Sequence, residues 1–210
     1  MVHYKLHYFP ARGRGDFIRY ILHYADVPYE EVVLQFEDWR AGLKHKMPLG
    51  VIPVLELDDG RQLSQSLAIA RYLAKQHGLL SDDDYENAWG DQLAGTIADI
   101  YPPYYVPYFK AAMIEQNEEK RKAAWQEMKT NGVTPMFEKF DKFLGDRTWF
   151  CGQKIHWSDL VIAEFVDRIE RIFEKGFVSS KFPRLHAHCQ RVHELPGIKK
   201  YVQKRPEYPL

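Results

Sequence analysis

Cysteine is scarce in this chain. Only Cys151 and Cys189 occur, far apart and far from the amino end. That spacing leaves no Cys-x-x-Cys redox pair and no disulfide framework, and two lone thiols fit a reducing compartment. Charge of one sign is lacking too: 29 Lys+Arg offset 29 Asp+Glu. Without a basic stripe there is no electrostatic footprint for nucleic acid. No apolar run is long enough to span a bilayer, and the amino end carries no apolar signal core. The expectation is a cytoplasmic protein with neither membrane nor nucleic acid as partner. What remains is a chain of 210 residues, 45% hydrophobic and 28% charged, enough for one or two compact domains.

The most informative stretch runs from Pro48 to Tyr72, PLGVIPVLELDDGRQLSQSLAIARY. Val54 to Leu57 read as a strand, Asp58-Asp59-Gly60 as a tight turn and Arg61 to Leu63 as a short return strand. Ser66 is placed as the cap of a helix whose apolar positions Ile69, Ala70 and Leu73 recur at helical spacing. Proline at a strand entrance forfeits a ladder hydrogen bond. With a cis Ile52-Pro53 bond, the Ile52 N–H and C=O would point outward and could pair with the backbone of a bound peptide. The free N–H groups and positive end of the Ser66 helix would then hold a carboxylate. An ordinary hairpin with an edge proline fits this segment equally well.

The preceding residues add a strand from His3 to Phe9, a helix with the stripe Phe17, Ile21, Leu22 and Ala25, and a second strand from Tyr29 to Leu34. The order βαβ, short helix, ββα is the thioredoxin-type layout. Since no thiol of the chain lies near the first strand's end, a thiol-handling fold here implies that the ligand brings the sulfur.

The run Tyr4-Lys5-Leu6-His7-Tyr8-Phe9-Pro10-Ala11-Arg12-Gly13-Arg14-Gly15, followed by Trp39, Lys44, Ile52-Pro53-Val54-Leu55 and Gln65-Ser66, resembles the cytosolic glutathione transferases. Within them it is most similar to the sigma class, nematode type. The resemblance implies an α/β thioredoxin-like domain over 1–79, a linker over 80–84 and an all-helical domain over 85–210. It implies Tyr8 as the catalytic phenol donating to the glutathione sulfur, with Arg14 adding positive potential beside it. Trp39 and Lys44 would grip the glycyl carboxylate, Ile52 beside Pro53 the peptide backbone, and Gln65 and Ser66 the γ-glutamyl carboxylate. Asp99 would reach the γ-glutamyl amine of a neighbouring subunit, so a complete site requires a homodimer. Phe9, Arg12, Tyr104, Tyr105 and Leu210 are candidates for the electrophile pocket. Glutathione is thus the expected co-substrate or recycled cofactor.

Two departures from the family pattern stand out. Val51 replaces a residue that is lysine or glutamine in many relatives. The capping box Ser/Thr-x-x-Asp reads His156-Trp157-Ser158-Asp159, and His156 is expected to cap poorly, at a local cost of about 1 kcal/mol. Beyond the link from Gly78 to Asp84, helices are expected from about Tyr85 to Gln116, bent by Pro102, Pro103 and Pro107, and from Glu119 to Leu144. A buried central helix from Leu160 to Phe173 follows, and Arg184 to Glu194 with Ile198 to Gln203 close the bundle. The aromatic cluster from Tyr101 to Phe109 fits either an electrophile pocket or interhelical packing. His186, His188, Cys189 and His193 lie close in sequence but lack a further ligand pair, so no metal is expected. The expected function is conjugation of glutathione to hydrophobic electrophiles, with prostaglandin isomerisation a possible activity. A carrier of haem or other hydrophobic ligands, or a crystallin-like protein, is the alternative.

Overall fold

The computed structural model describes residues 3–208. Two compact units emerge, one formed by the residues up to Leu80 together with those from His193 onward, the other by Ser81–Val192.

The first unit opens with β1 (Tyr4–Tyr8), α1 (Gly13–Tyr24) and β2 (Tyr29–Val33), then α2 (Phe36–Arg40), a tight helical turn at Leu43–Lys46, the hairpin of β3 (Val54–Leu57) and β4 (Gln62–Ser64), and α3 (Ser66–Gln76). The strand order is β2-β1-β3-β4, with β1 parallel to β2 and antiparallel to β3. A parallel neighbour demands a crossover, and α1 provides it. The apolar stripes of α1 and α3 pack together, and Leu6, Val54 and Leu55 from the sheet join Ile18, Ile21, Ile69 and Leu73 in full burial. Each such side chain contributes roughly 1.5–3 kcal/mol. The expected layout is observed. One detail differs: Ser66 is the first residue of α3, not its cap, and Gln65 occupies the capping position without a side-chain cap bond.

In the second unit, α4 (Asp84–Ala98) starts where Asp83 accepts from the Tyr85 and Glu86 N–H groups at 2.7 and 3.1 Å. The prolines that follow break the helical rhythm into a wide π-type turn at Tyr101–Tyr105, a short α5 (Val106–Phe109) and a second π-type turn at Lys110–Ile114. Asn117 caps α6 (Glu118–Glu127), which runs through another π-type turn into α7 (Thr134–Leu144). Then come α8 (Trp157–Arg168), buried at every position, α9 (Phe177–Lys181) and α10 (Pro183–His193).

The cap of α8 corrects the expectation for His156. Its Nδ1 accepts from the Ser158 N–H at 3.3 Å, and Asp159 accepts from the His156 N–H at 2.9 Å. The ring is 1% exposed and its Nε2 meets Asn87 Oδ1 at 3.3 Å, so the imidazole is fixed and works as a cap. His188 bonds Asp159 at 2.8 Å and Cys189 donates to the Ala163 carbonyl at 3.3 Å. Both are packing partners of α8.

The domain boundary is also corrected. α11 (Pro196–Lys204) groups with the first unit instead of closing the bundle. A Cβ on Gly197 would lie 1.9 Å from the His23 carbonyl oxygen, so only glycine lets α11 rest directly on the carboxyl end of α1. Tyr20 and His193 share a hydrogen bond at 3.0 Å in the same layer.

Candidate active site

β1 buries Tyr4 and Leu6 and ends at Tyr8, which is half-buried. Tyr4, the competing tyrosine, is 1% exposed and belongs to the core. The Tyr8 phenol reaches the first turn of α1, where its oxygen accepts from the Arg14 N–H at 3.0 Å. Its ring is seated on two glycines. A Cβ at Gly13 would stand 2.6 Å from the hydroxyl oxygen, and one at Gly15 would stand 2.3 Å from Cδ1. Gly13 also has φ +42°, a region that L side chains seldom adopt. The Arg19 guanidinium lies 5.7 Å from the ring centroid.

Beside Tyr8, the Phe9 ring meets Trp39 edge-on at 5.7 Å and Phe36 at 5.6 Å. This fixes the short α2 that carries the half-buried Trp39. Lys44 follows on the next turn and is exposed. The Ile52–Pro53 bond is cis, and the β3 ladder begins only at Val54, so the Ile52 backbone lies outside it. Gln65 adopts φ 73° and ψ 108°, a conformation that costs a non-glycine residue of order 1–3 kcal/mol. This single residue joins the end of β4 to the start of α3. No acidic side chain occupies the first turn of α3, which leaves its positive end open to a carboxylate. Indole N–H, ammonium, outward backbone and helix end are the donor types that a peptide with two carboxylates requires.

Arg12 corrects an expectation. It is 3% exposed and donates through Nε to Asp16 Oδ2 at 3.0 Å, so it serves a buried carboxylate instead of lining an open pocket. Sequence reasoning missed this layer. Arg19 holds the Ala11 and Phe9 carbonyls at 2.8 and 3.5 Å and pairs with Glu31. Burial works against Asp16 ionisation most strongly, yet Arg12, Arg19, Arg205 and the Tyr201 hydroxyl outweigh it and hold its carboxyl below the usual range.

In the second unit, Asp99 is exposed just past α4. Tyr104 is half-buried, and its hydroxyl donates to the Asn131 carbonyl at 3.3 Å. Tyr105 is 9% exposed, packed at 4.9 Å from Tyr101 and under the Arg168 guanidinium, as interhelical packing predicts. Leu210 lies outside the described residues.

Comparison with known proteins bears on this geometry. The glutathione S-transferase amino-terminal domain family matches residues 4–75, and the carboxyl-terminal domain family of the same enzymes matches residues 105–205. The chain is 37% identical to hematopoietic prostaglandin D synthase of Gallus gallus, over 99% of this chain and 98% of that one. It is 36% identical to probable glutathione S-transferase 6 of Caenorhabditis elegans, over all of both chains. Among solved structures it is similar to monomeric Na-GST-3, a glutathione S-transferase of the hookworm Necator americanus, with a TM-score of 0.82 and 30% identity over 99% of this chain and 100% of that one. Agreement of sequence and fold along the whole chain establishes that this protein belongs to the glutathione S-transferase family.

Proposed function

We propose that Tyr8 ionises the sulfur of glutathione in this transferase and that the thiolate then adds to hydrophobic electrophiles. The observation that carries the reading is the phenol itself: half-buried at the end of β1, with its oxygen already accepting from the Arg14 N–H. A hydrogen bond to the charged form of the sulfur favours that form. Lowering a thiol pKa from ~8.5 to ~6.5 raises the thiolate fraction at neutral pH from a few per cent to about three quarters, a stabilisation of roughly 2.7 kcal/mol. The backbone N–H from α1 polarises the phenol and strengthens its donation. Arg14, on the same turn, adds positive potential beside the sulfur.

The remaining roles follow the donor set. Trp39 and Lys44 take the glycyl carboxylate, the Ile52 backbone beside Pro53 takes the cysteinyl peptide, and Gln65 and Ser66 take the γ-glutamyl carboxylate. Phe9, next to Tyr8 and packed on Trp39, belongs to the aromatic surroundings of the electrophile. Asp99, exposed beyond α4, serves a partner's γ-glutamyl amine in a cytoplasmic homodimer of the sigma class. Sedimentation that returns only a monomer removes Asp99 from the site. No described helix is long and apolar enough to cross a membrane. The relative from Gallus gallus supports a second activity, isomerisation of a prostaglandin endoperoxide, in which glutathione attacks the peroxide and is released unchanged.

The test compares wild type with Tyr8→Phe. Conjugation of a generic aromatic halide falls about 100-fold or more while glutathione affinity changes little, because the carboxylate donors sit on other elements. Equal rates exclude Tyr8 from the chemistry; loss of affinity in both proteins excludes a glutathione site.

A further inference from the structure

α1 begins without a side-chain cap: Arg12 in the N-cap position makes no capping bond. Four orphan N–H groups at a helix start ordinarily leave the first turn free to fray. Yet this turn supplies the Arg14 N–H and the two glycine surfaces against which Tyr8 is set. Something else must hold it.

The holder is Asp16, fully buried on that turn. Its carboxylate accepts from Arg12 Nε at 3.0 Å and from the Tyr201 hydroxyl, and it lies 3.5 Å from both Arg19 Nη1 and Arg205 Nη1. Two of those partners come from the chain's carboxyl end. Tyr201 belongs to α11, and Arg205, just beyond it, also donates to the Tyr20 hydroxyl at 3.0 Å. Arg19 extends the same layer upward by gripping the Ala11 and Phe9 carbonyls on the loop between Tyr8 and α1, and its guanidinium stands 5.7 Å from both the Tyr8 and the Tyr208 rings. The loop and turn that locate the phenol are therefore tied from beneath to the last helix.

We infer that Tyr201 and Arg205 are positioning residues for the Tyr8 phenol, acting through the buried Asp16 carboxylate on the first turn of α1. The inference deepens the reading of Tyr8 and rests on it. Neither residue touches substrate; both decide where the Tyr8 hydroxyl stands relative to the sulfur.

Tyr201→Phe is the decisive variant, because it deletes one hydroxyl and changes no charge. If the latch positions the phenol, the pH at which kcat/KM reaches half its plateau rises by about one unit. At about pH 6.5 the rate then falls roughly five-fold, and it recovers near pH 9, where the thiol ionises unaided. KM for glutathione stays constant. Arg205→Lys, which keeps the charge, shifts the profile less than Arg205→Met. In a Tyr8→Phe background, Tyr201→Phe adds no further shift. A Tyr201→Phe protein with lowered Tm and an unmoved pH profile overturns the inference, since a purely structural role predicts that result. If Tyr8→Phe itself leaves the profile unmoved, the reading of Tyr8 fails and the latch falls with it. A shift from Tyr8→Phe alone sinks only the latch.

Discussion

Replacing Gly15 by alanine is the sharpest test of how Tyr8 is placed, because the substitution displaces the phenol without altering its chemistry. The added Cβ would stand 2.3 Å from Cδ1 and 2.8 Å from both Cγ and Cε1 of the ring. Carbon atoms come to rest at about 3.5 Å or more, so the ring must retreat by about 1 Å. Gly15 is a buried residue on the first turn of α1, so the helix cannot simply swing the methyl into solvent. A retreat of that size breaks the 3.0 Å bond from the Arg14 N–H and carries the hydroxyl off the sulfur. Misplacement of a reacting group by about 1 Å costs up to roughly 100-fold in rate, or about 2.7 kcal/mol of transition-state stabilisation.

Stability moves far less. Alanine gains about 1 kcal/mol over glycine inside a helix, while the overpacked contact costs roughly 1–3 kcal/mol. The expected outcome is kcat/KM for an aromatic halide reduced about 10- to 100-fold, glutathione affinity by calorimetry within about three-fold, and a Tm only a few degrees below wild type. Tyr8→Phe supplies the second arm of a double-mutant cycle. If Gly15→Ala acts by moving the hydroxyl, the double variant is no slower than Tyr8→Phe alone. Full activity in Gly15→Ala, or effects that multiply in the double variant, refutes the account of the glycine seat.

Two further predictions concern the second unit. At Gly90 a Cβ would lie 2.2 Å from His156 Cε1 and 2.5 Å from Nδ1; that imidazole is 1% exposed and caps α8, so Gly90→Ala lowers stability by roughly 2–3 kcal/mol and Tm by about 4–10 °C in calorimetry, and an unchanged Tm refutes the cap. The Cys151 thiol is pushed up to about 12 by burial foremost, with the Asp159 and Glu86 charges adding, against the Ser158 hydrogen bond and Arg147. It therefore stays protonated as pH rises through the range where an ordinary thiol ionises, near ~8.5. Iodoacetamide leaves it unmodified at both ends of that range until the protein unfolds, and labelling of the native protein that climbs like a free thiol's contradicts the assignment.

Much of the first unit was legible because its signals are local. Asp58-Asp59-Gly60 makes a turn by its own chemistry: Gly60 takes φ 81° and its N–H bonds the Leu57 carbonyl at 2.9 Å. The spacing of Ile69, Ala70 and Leu73 shows the buried face of α3 without knowledge of what covers it. Tyr8 was legible through its neighbours in sequence. Its seat was visible only as Gly13 and Gly15, since the approach of a ring from the preceding strand leaves no trace in the composition of a turn. His156 was misread for a related reason. Capping preferences average over exposed sites where an imidazole is mobile, whereas here Asn87, from a helix 69 positions away, fixes the ring.

The Asp16 layer shows why a buried polar network resists reading altogether. Arg12 and Asp16 at i, i+4 have the spacing of an ordinary solvated pair. Only the arrival of Tyr201 and Arg205, some 185 residues later, removes water from it. Once dry, the carboxylate cannot lose a partner cheaply, because breaking a buried pair on one side costs several kcal/mol. The same long-range step explains the misplaced domain boundary: α11 is amphipathic like the bundle helices, and nothing in its own sequence says which surface it will cover. Three guanidinium groups, Arg12, Arg19 and Arg205, then face two carboxylates, Asp16 and Glu31. Among the described residues, these groups bring guanidinium charge up to the loop and turn that locate the phenol. A layer that first settles where α11 docks thus leaves a field of the sign that an anionic sulfur needs.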